Sequence, residues 1–200
     1  MSIARIAVSL VLALGAGTAG AESAMRGAIT DVLRGAVTPV PQGQQVEVGF
    51  SPEGSAVALV LKAIGSARKS IHVMAYVMSS PEIASALARA ARGGIEVYVQ
   101  LDYKENIEED QRGFIRNRLD ELSRSGAVLC TISAFPAMHE KTMVIDARHV
   151  QVGSFNYSSQ AARRNSETAL VLWNAPAVAQ QYEAHFRERI SYCTAYRAGL

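Results

Sequence analysis

The sequence predicts an α/β domain, a mixed, largely parallel sheet flanked by helices on both faces. Two observations carry that reading. Between residues 46 and 101, short runs of β-forming residues alternate with stretches of helical periodicity, giving strand–helix–strand–helix–strand in about 55 residues. Strands joined through helices favour parallel pairing. No internal repeat, low-complexity tract or Pro/Gly-rich linker interrupts residues 46–190, so one domain is the economical organisation.

The elements follow in order. Residues 46–50 read as a strand. Ser51-Pro52-Glu53 resembles a helix start, and 55–67 is helical, with Val57, Val60, Leu61 and Ile64 on one face. Residues 70–78 are rich in β-formers. Residues 81–92 form a helix, with Pro81 in its first turn and Gly93-Gly94 past its end. Residues 95–101 are a strand. The charged, aperiodic stretch 102–112 reads as a loop entering a helix at 113–125, and 126–131 as a strand. The runs 142–145 and 150–152 make a hairpin around Asp146-Ala147-Arg148-His149. A short helix at 158–164, a strand at 168–173 and a closing helix at 176–190 complete the domain. In the last, Val178, Tyr182, Phe186 and Ile190 recur every fourth residue. Residues 191–200 read as a tail.

The N-terminus has the layout of a secretory leader. Arg5 gives a positive start, Ile6 to Ala16 is apolar, and Ala19-Gly20-Ala21 is a small-x-small cleavage pattern, so 1–21 is expected to be removed after Ala21. The run is short for a bilayer span, so no stable membrane anchor is expected after cleavage. Residues 22–45 then form an N-terminal arm, with a short helix at 25–34. Export implies a periplasmic or secreted protein in an oxidising compartment. Cys130 and Cys193 are free to pair there, or Cys130 to be simply buried; the sequence leaves both open. Net charge is +2 for the whole chain, and without the leader 19 basic residues face 18 acidic ones. Any polyanion site is therefore a local patch, not a global field.

The chemistry concentrates between residues 139 and 167. His139-Glu140-Lys141 opens the hairpin, and Gly153-Ser154-Phe155-Asn156 leaves it. Side chains two apart on an extended chain share a side, so His139 with Lys141, and Ser154 with Asn156, are expected to converge across the hairpin's open end. Lys141 supplies charge, Ser154 and Asn156 supply hydrogen-bond donors, and a neutral imidazole at His139 can attack phosphorus. Arg163-Arg164-Asn165-Ser166-Glu167 adds cations and a carboxylate.

His-x-Lys-x4-Asp, six residues, then Gly-Ser-x-Asn resembles the signature of the phospholipase D superfamily. The segment from Val48 to Gly54, residues 71–80 and 94–101, and Val171-Leu172-Trp173-Asn174 resemble its small bacterial EDTA-resistant endonucleases. The likeness covers roughly residues 46–190. It implies catalysis by two His-Lys motifs, one for the nucleophile and one for the general acid. This chain has one, since His72, His149 and His185 are followed by the wrong partners. A homodimer would supply the second across its axis. The resemblance implies a phosphohistidine mechanism on nucleic acid, DNA above all, with neither metal nor cofactor.

The roles expected are these. His139, Lys141, Ser154 and Asn156 act on the phosphodiester, and Glu167 orients the imidazole. Asp146 sits at the turn and holds the hairpin by hydrogen bonds. Arg163 and Arg164 either grip flanking phosphates or are a plain exposed pair; Lys104, Arg112 and Arg116 are candidates for the groove wall. Tyr76 and Trp173 read as core. A phospholipid head-group hydrolase is the alternative. A fold kept without activity is disfavoured by the intact His139, Lys141, Asn156 and Glu167.

Overall fold

The computed structural model describes residues 43–199. The leader, its cleavage point, the helix at 25–34 and most of the 22–45 arm lie outside the described residues. The first elements follow the expected alternation: β1 (Gln45–Ser51), α1 (Ser55–Ser66), β2 (Ser70–Ala75), α2 (Pro81–Arg92) and β3 (Glu96–Asp102). After a π-helical turn at Lys104–Glu108 come α3 (Phe114–Arg124), β4 (Val128–Ile132), the hairpin β5 (Lys141–Ile145) and β6 (His149–Gly153), then α4 (Ser159–Arg163) and β7 (Glu167–Trp173). The chain closes with α5 (Pro176–Arg189), a 3-10 turn at Ile190–Tyr192 and β8 (Thr194–Ala195). Local chemistry sets the boundaries. At α2, the Ser80 hydroxyl accepts from the Ile83 N–H, Pro81 occupies the first turn, and Arg89 and Arg92 lie in the last.

The eight strands form one mixed sheet in the order β1-β7-β6-β5-β2-β3-β4-β8. The expected α/β architecture is present, but its parallel part is smaller than the sequence suggested. β2–β3 and β3–β4 are parallel, while the other five pairings are antiparallel. The reason is insertion. β1 and β2 run in the same direction, yet β7, β6 and β5 lie between them. A helix joining two strands fixes their relative direction, not their adjacency.

Helices cover both faces, as expected. Ile71, Val73 and Ala75 of β2 join the large core beneath α1, α2 and α3. By alternation Met74 faces the other way, onto Phe186 of α5 with Ile132 and Met138. Val144 and Val150 of the hairpin also pack under α5, against Ala179.

Two stretches differ from expectation. The 102–112 loop contains the π-helical turn, held by Asn106, whose buried side chain donates to the Tyr76 and Asp102 carbonyls and accepts from the Met78 N–H. That turn rests on one polar residue, which periodicity does not register. The expected tail is part of the fold: β8 pairs with β4, and Cys193 is bonded to Cys130, 63 residues earlier. Closing a loop of that length is worth about 4 kcal/mol in a chain-entropy account. A two-residue strand carries no periodic signal.

Candidate active site

The open end of the hairpin lies beside the C-terminal end of β2. Lys141 pairs with Ala75 there, and the Tyr76 N–H donates to the Glu140 carbonyl at 2.8 Å. On the return strand Gly153 lies so close to β7 that a Cβ would collide with the Thr168 carbonyl. Only glycine lets the chain leave β6 along that path. The next segment is pinned on both sides. The Ser154 and Phe155 N–H groups donate to the Thr168 carbonyl, and the Ser79 and Ser80 N–H groups donate to the Tyr157 carbonyl. Phe155 and Tyr157 are fully buried, with the Tyr157 hydroxyl donating to Gln151 at 2.6 Å. Asn156 is thus held between two aromatic anchors.

The side chains meet as follows. His139 is exposed, its ring centroid 4.4 Å from that of Tyr76. Lys141 is only 7% exposed; its ammonium donates to the His139 carbonyl at 2.8 Å and stands 4.8 Å from the centre of the Tyr76 ring. Burial pulls the Lys141 pKa below the ordinary lysine value, against the opposing pull of the Glu167 and Glu140 carboxylates. Ser154 Oγ donates to Glu167 Oε2 at 2.5 Å and accepts from the Thr168 N–H. Asn165 Nδ2 donates to Glu167 Oε1 at 2.9 Å. Asn156 Oδ1 is buried and has no hydrogen-bond partner among the described residues. His139 and Lys141 are therefore together, as are Ser154 and Glu167, and the Glu167 charge reaches Lys141.

Some expectations need correcting. Glu167 was expected on the imidazole. Within this chain its carboxylate accepts from Ser154 and Asn165, because the start of β7 runs beside the 153–155 backbone, and His139 lies instead against Tyr76. Asp146 does not brace its own hairpin. Its carboxylate accepts from the Arg68, Lys69 and Ser70 N–H groups at 2.9, 2.7 and 3.0 Å, tying the turn to the loop between α1 and β2. Arg163 is paired with Glu82 at 2.9 Å, at the surface. Arg164, Lys104 and Arg112 are exposed, Lys104 on the π-helical turn. The other histidines have structural partners. His72 meets Glu183 at 2.8 Å and stacks on Phe186, His149 accepts from the Asn174 N–H, and His185 meets Glu140 at 3.0 Å.

The site also contains residues the sequence reading passed over. Tyr76, read as core, is only partly buried and touches both His139 and Lys141. Asp102, 2% exposed, accepts from the Met138 N–H at 2.8 Å and so fixes the approach to His139. A carboxylate closing an apolar strand was the available signal for it. Among the described residues, no group of three or more His, Cys, Asp or Glu side chains is placed to hold a metal ion.

Fold and site together define a phospholipase D-like protein. Residues 60–190 match the family model described as cardiolipin synthase, PLD-like domain, and the chain belongs to this family. A similar solved structure is a phospholipase D family member, Nuc from Salmonella typhimurium. It is 40% identical with a TM-score of 0.73, over 77% of this chain and 99% of that one. NucT from Helicobacter pylori shares the fold at 22% identity, with a TM-score of 0.68 over 76% of this chain and 99% of that one. A Rickettsia bellii protein named phospholipase D is 32% identical over 132 residues, 66% of this chain and 62% of its own length. The chain thus spans about three fifths of that relative.

Proposed function

We propose that this protein is an exported, metal-independent phosphodiesterase that cleaves nucleic acid, DNA foremost, at a site completed by a second copy of the chain. One observation carries the reading: the exposed His139 imidazole and the almost buried Lys141 ammonium lie against the same Tyr76 ring, and the ammonium bonds the His139 carbonyl. Burying a lone ammonium is costly, and an arriving phosphate anion offsets that cost. The Asn156 amide oxygen is an acceptor without a donor among the described residues, so a phosphate can be met only by the NH2 group of that amide.

In the proposed reaction, His139 Nε2 of one copy attacks phosphorus and forms an N–P bond as the P–O bond to the leaving group breaks. His139 of the other copy donates its proton to the departing oxygen. That second imidazole then takes a proton from water, whose oxygen displaces the first imidazole and releases the phosphate monoester. Lys141 and Asn156 from both copies hold the equatorial oxygens as charge accumulates on them.

Support for a second copy comes from β1. Among the described residues it is an edge strand, and Val46, Val48 and Phe50 are 50, 47 and 53% exposed along one side of it. The stripe ends beside the site, because Phe50 pairs with Thr168 and Ser51 with Glu167. An exposed apolar row on an edge strand is a liability unless it is covered. Phe50→Asp should therefore give a folded monomer in sedimentation with cleavage reduced about 100-fold or more; an active monomer would remove the shared site.

The Rickettsia relatives named phospholipase D favour a lipid head group as the second reading. The deciding experiment incubates the protein and its His139→Ala variant, in excess EDTA, with single-stranded DNA, supercoiled plasmid and phosphatidylcholine or cardiolipin vesicles. Cleavage of DNA by the first protein alone is expected. Turnover of lipid with intact DNA would select the second reading, and DNA cleavage by both proteins would remove His139 from the mechanism.

A further inference from the structure

Tyr76 stands where the sequence motif says nothing, yet three contacts converge on it. Its ring lies 4.4 Å from the His139 ring, centroid to centroid, tilted by 59°. The Lys141 ammonium stands 4.8 Å from the centre of the same ring. Its hydroxyl donates to Glu105 Oε1 at 2.7 Å. Glu105 belongs to the π-helical turn after β3, whose N-terminus is fastened by the Glu105 N–H donating to Asp102. In the same turn Asn106 donates to the Tyr76 carbonyl and accepts from the Met78 N–H, so both ends of the Tyr76 residue are tied to one element. Asp102 meanwhile holds the Met138 N–H, one residue before His139. A π-helical turn is a rare device that recurs at functional sites, and here it ties the segment after β2 to the end of β3.

We propose that Tyr76 is a positioning residue of the active site. Its ring is the wall that sets the His139 imidazole and the Lys141 ammonium relative to each other, and its hydroxyl, locked on Glu105, fixes the angle of that wall. The proposal rests on the phosphodiesterase reading only for its kinetic consequence. The hydroxyl is suited to the task because it stays a donor. Its bond to Glu105, then burial and nearby carboxylates, push its pKa up to about 12, so it does not ionise in the working range. The aromatic face offers an ammonium an electrostatic partner that does not compete for its N–H donors, leaving them for a phosphate. An imidazole laid against the ring loses rotational freedom before substrate arrives.

The test uses Tyr76→Phe, Tyr76→Leu and Glu105→Gln in the full chain, read in two independent ways. The first needs no activity. The His139 ring protons and the Lys141 ammonium are followed by NMR against pH, with His139→Ala and Lys141→Met for assignment. Tyr76→Phe should keep an aromatic ring-current shift on His139 but broaden or move it, because the ring is no longer locked on Glu105. Tyr76→Leu should lose it and titrate Lys141 at lower pH than the parent, because the ring no longer stabilises the ammonium while burial still opposes it and Glu140 and Glu167 are unchanged. The second reading is steady-state cleavage. Tyr76→Leu should lower kcat about tenfold with KM nearly unchanged, and Tyr76→Phe and Glu105→Gln only a few-fold. If Tyr76→Leu is poorly folded, Glu105→Gln and Tyr76→Phe still report whether freeing the ring broadens or shifts the His139 signals. Unchanged His139 and Lys141 signals in all folded variants would overturn the proposal. Absent cleavage by the parent protein, with the NMR effects present, would overturn the phosphodiesterase reading and leave the positioning role standing.

Discussion

The two ends of the β5–β6 hairpin are built to opposite specifications. At the closed end, Asp146 spends its carboxylate on three backbone N–H groups of the α1–β2 loop. At the open end, five residues away, His139 stands exposed, and among the described residues Lys141 keeps one carbonyl partner and the Asn156 acceptor has none. Three letters of one motif therefore belong to two systems. A polar group satisfied by the chain itself builds the fold, whereas one left under-satisfied at a cleft is available to something else.

The largest expected effects break that comparison from the open end. His139→Ala should lower turnover by about 10³-fold or more, as loss of a nucleophile does, while unfolding free energy stays within about 0.5 kcal/mol of the parent. Urea denaturation beside the cleavage assay reads both quantities. A His139→Ala protein that lost stability instead would mean the imidazole braces the loop, and the contrast between the ends would disappear.

At the closed end the pattern should invert. Asp146→Ala strips a charged acceptor from three N–H groups and is expected to cost about 2–3 kcal/mol of stability, with turnover per folded molecule unchanged. The pH dependence carries the same information. Burial raises the Asp146 pKa, but the N–H bonds from Ser70, Lys69 and Arg68 outweigh it and hold the carboxyl below its ordinary range. A depressed carboxyl stabilises the folded state above its unfolded pKa, and that contribution is lost as pH falls through the folded value. The gap in urea midpoint between parent and Asp146→Ala should therefore be full at neutral pH and close below about pH 4. A gap that persisted in acid would mean shape, not charge, explains the role of Asp146.

The sequence carried these features unevenly. Strands and α-helices from 45 to 124, the π-helical turn apart, were legible because periodicity and caps are local, and the α2 boundaries agree with Ser80, Pro81 and Gly93. The sheet order was not, because nothing local says that β5, β6 and β7 insert between β1 and β2. The pair His139 with Lys141 was readable from two-residue spacing, whereas Ser154, expected beside Asn156, meets Glu167. Tyr76, Asp102 and Asn106 were not, since they reach the site through long-range backbone contacts from other strands and a turn. Glu167 was legible as a site residue, but its partner was not: two donors nearer to it in space, Ser154 and Asn165, hold its carboxylate.

The smallest expected shift runs in the opposite direction and sharpens the comparison most. Lys141 belongs to the open end by chemistry, yet it is 7% exposed. Burial lowers its pKa, more than Glu167 and Glu140 restore it, so the ammonium form weighs against folding. For a basic group with a depressed folded pKa, the unfolded chain binds more protons between the folded value and the ordinary one near 10.5. The cost is full below the folded value and is relieved as pH rises through that window. Lys141→Met keeps most of the stem's volume and removes the charge, so it should abolish cleavage and stabilise the protein by about 1 kcal/mol at pH 7. The advantage should shrink as pH approaches 10. Asp146→Ala would then lose stability and keep function, while Lys141→Met lost function and gained stability. A Lys141→Met protein less stable than the parent would show that the His139 carbonyl and the Tyr76 ring compensate the buried ammonium in full, and that the open end, too, is finished within one chain.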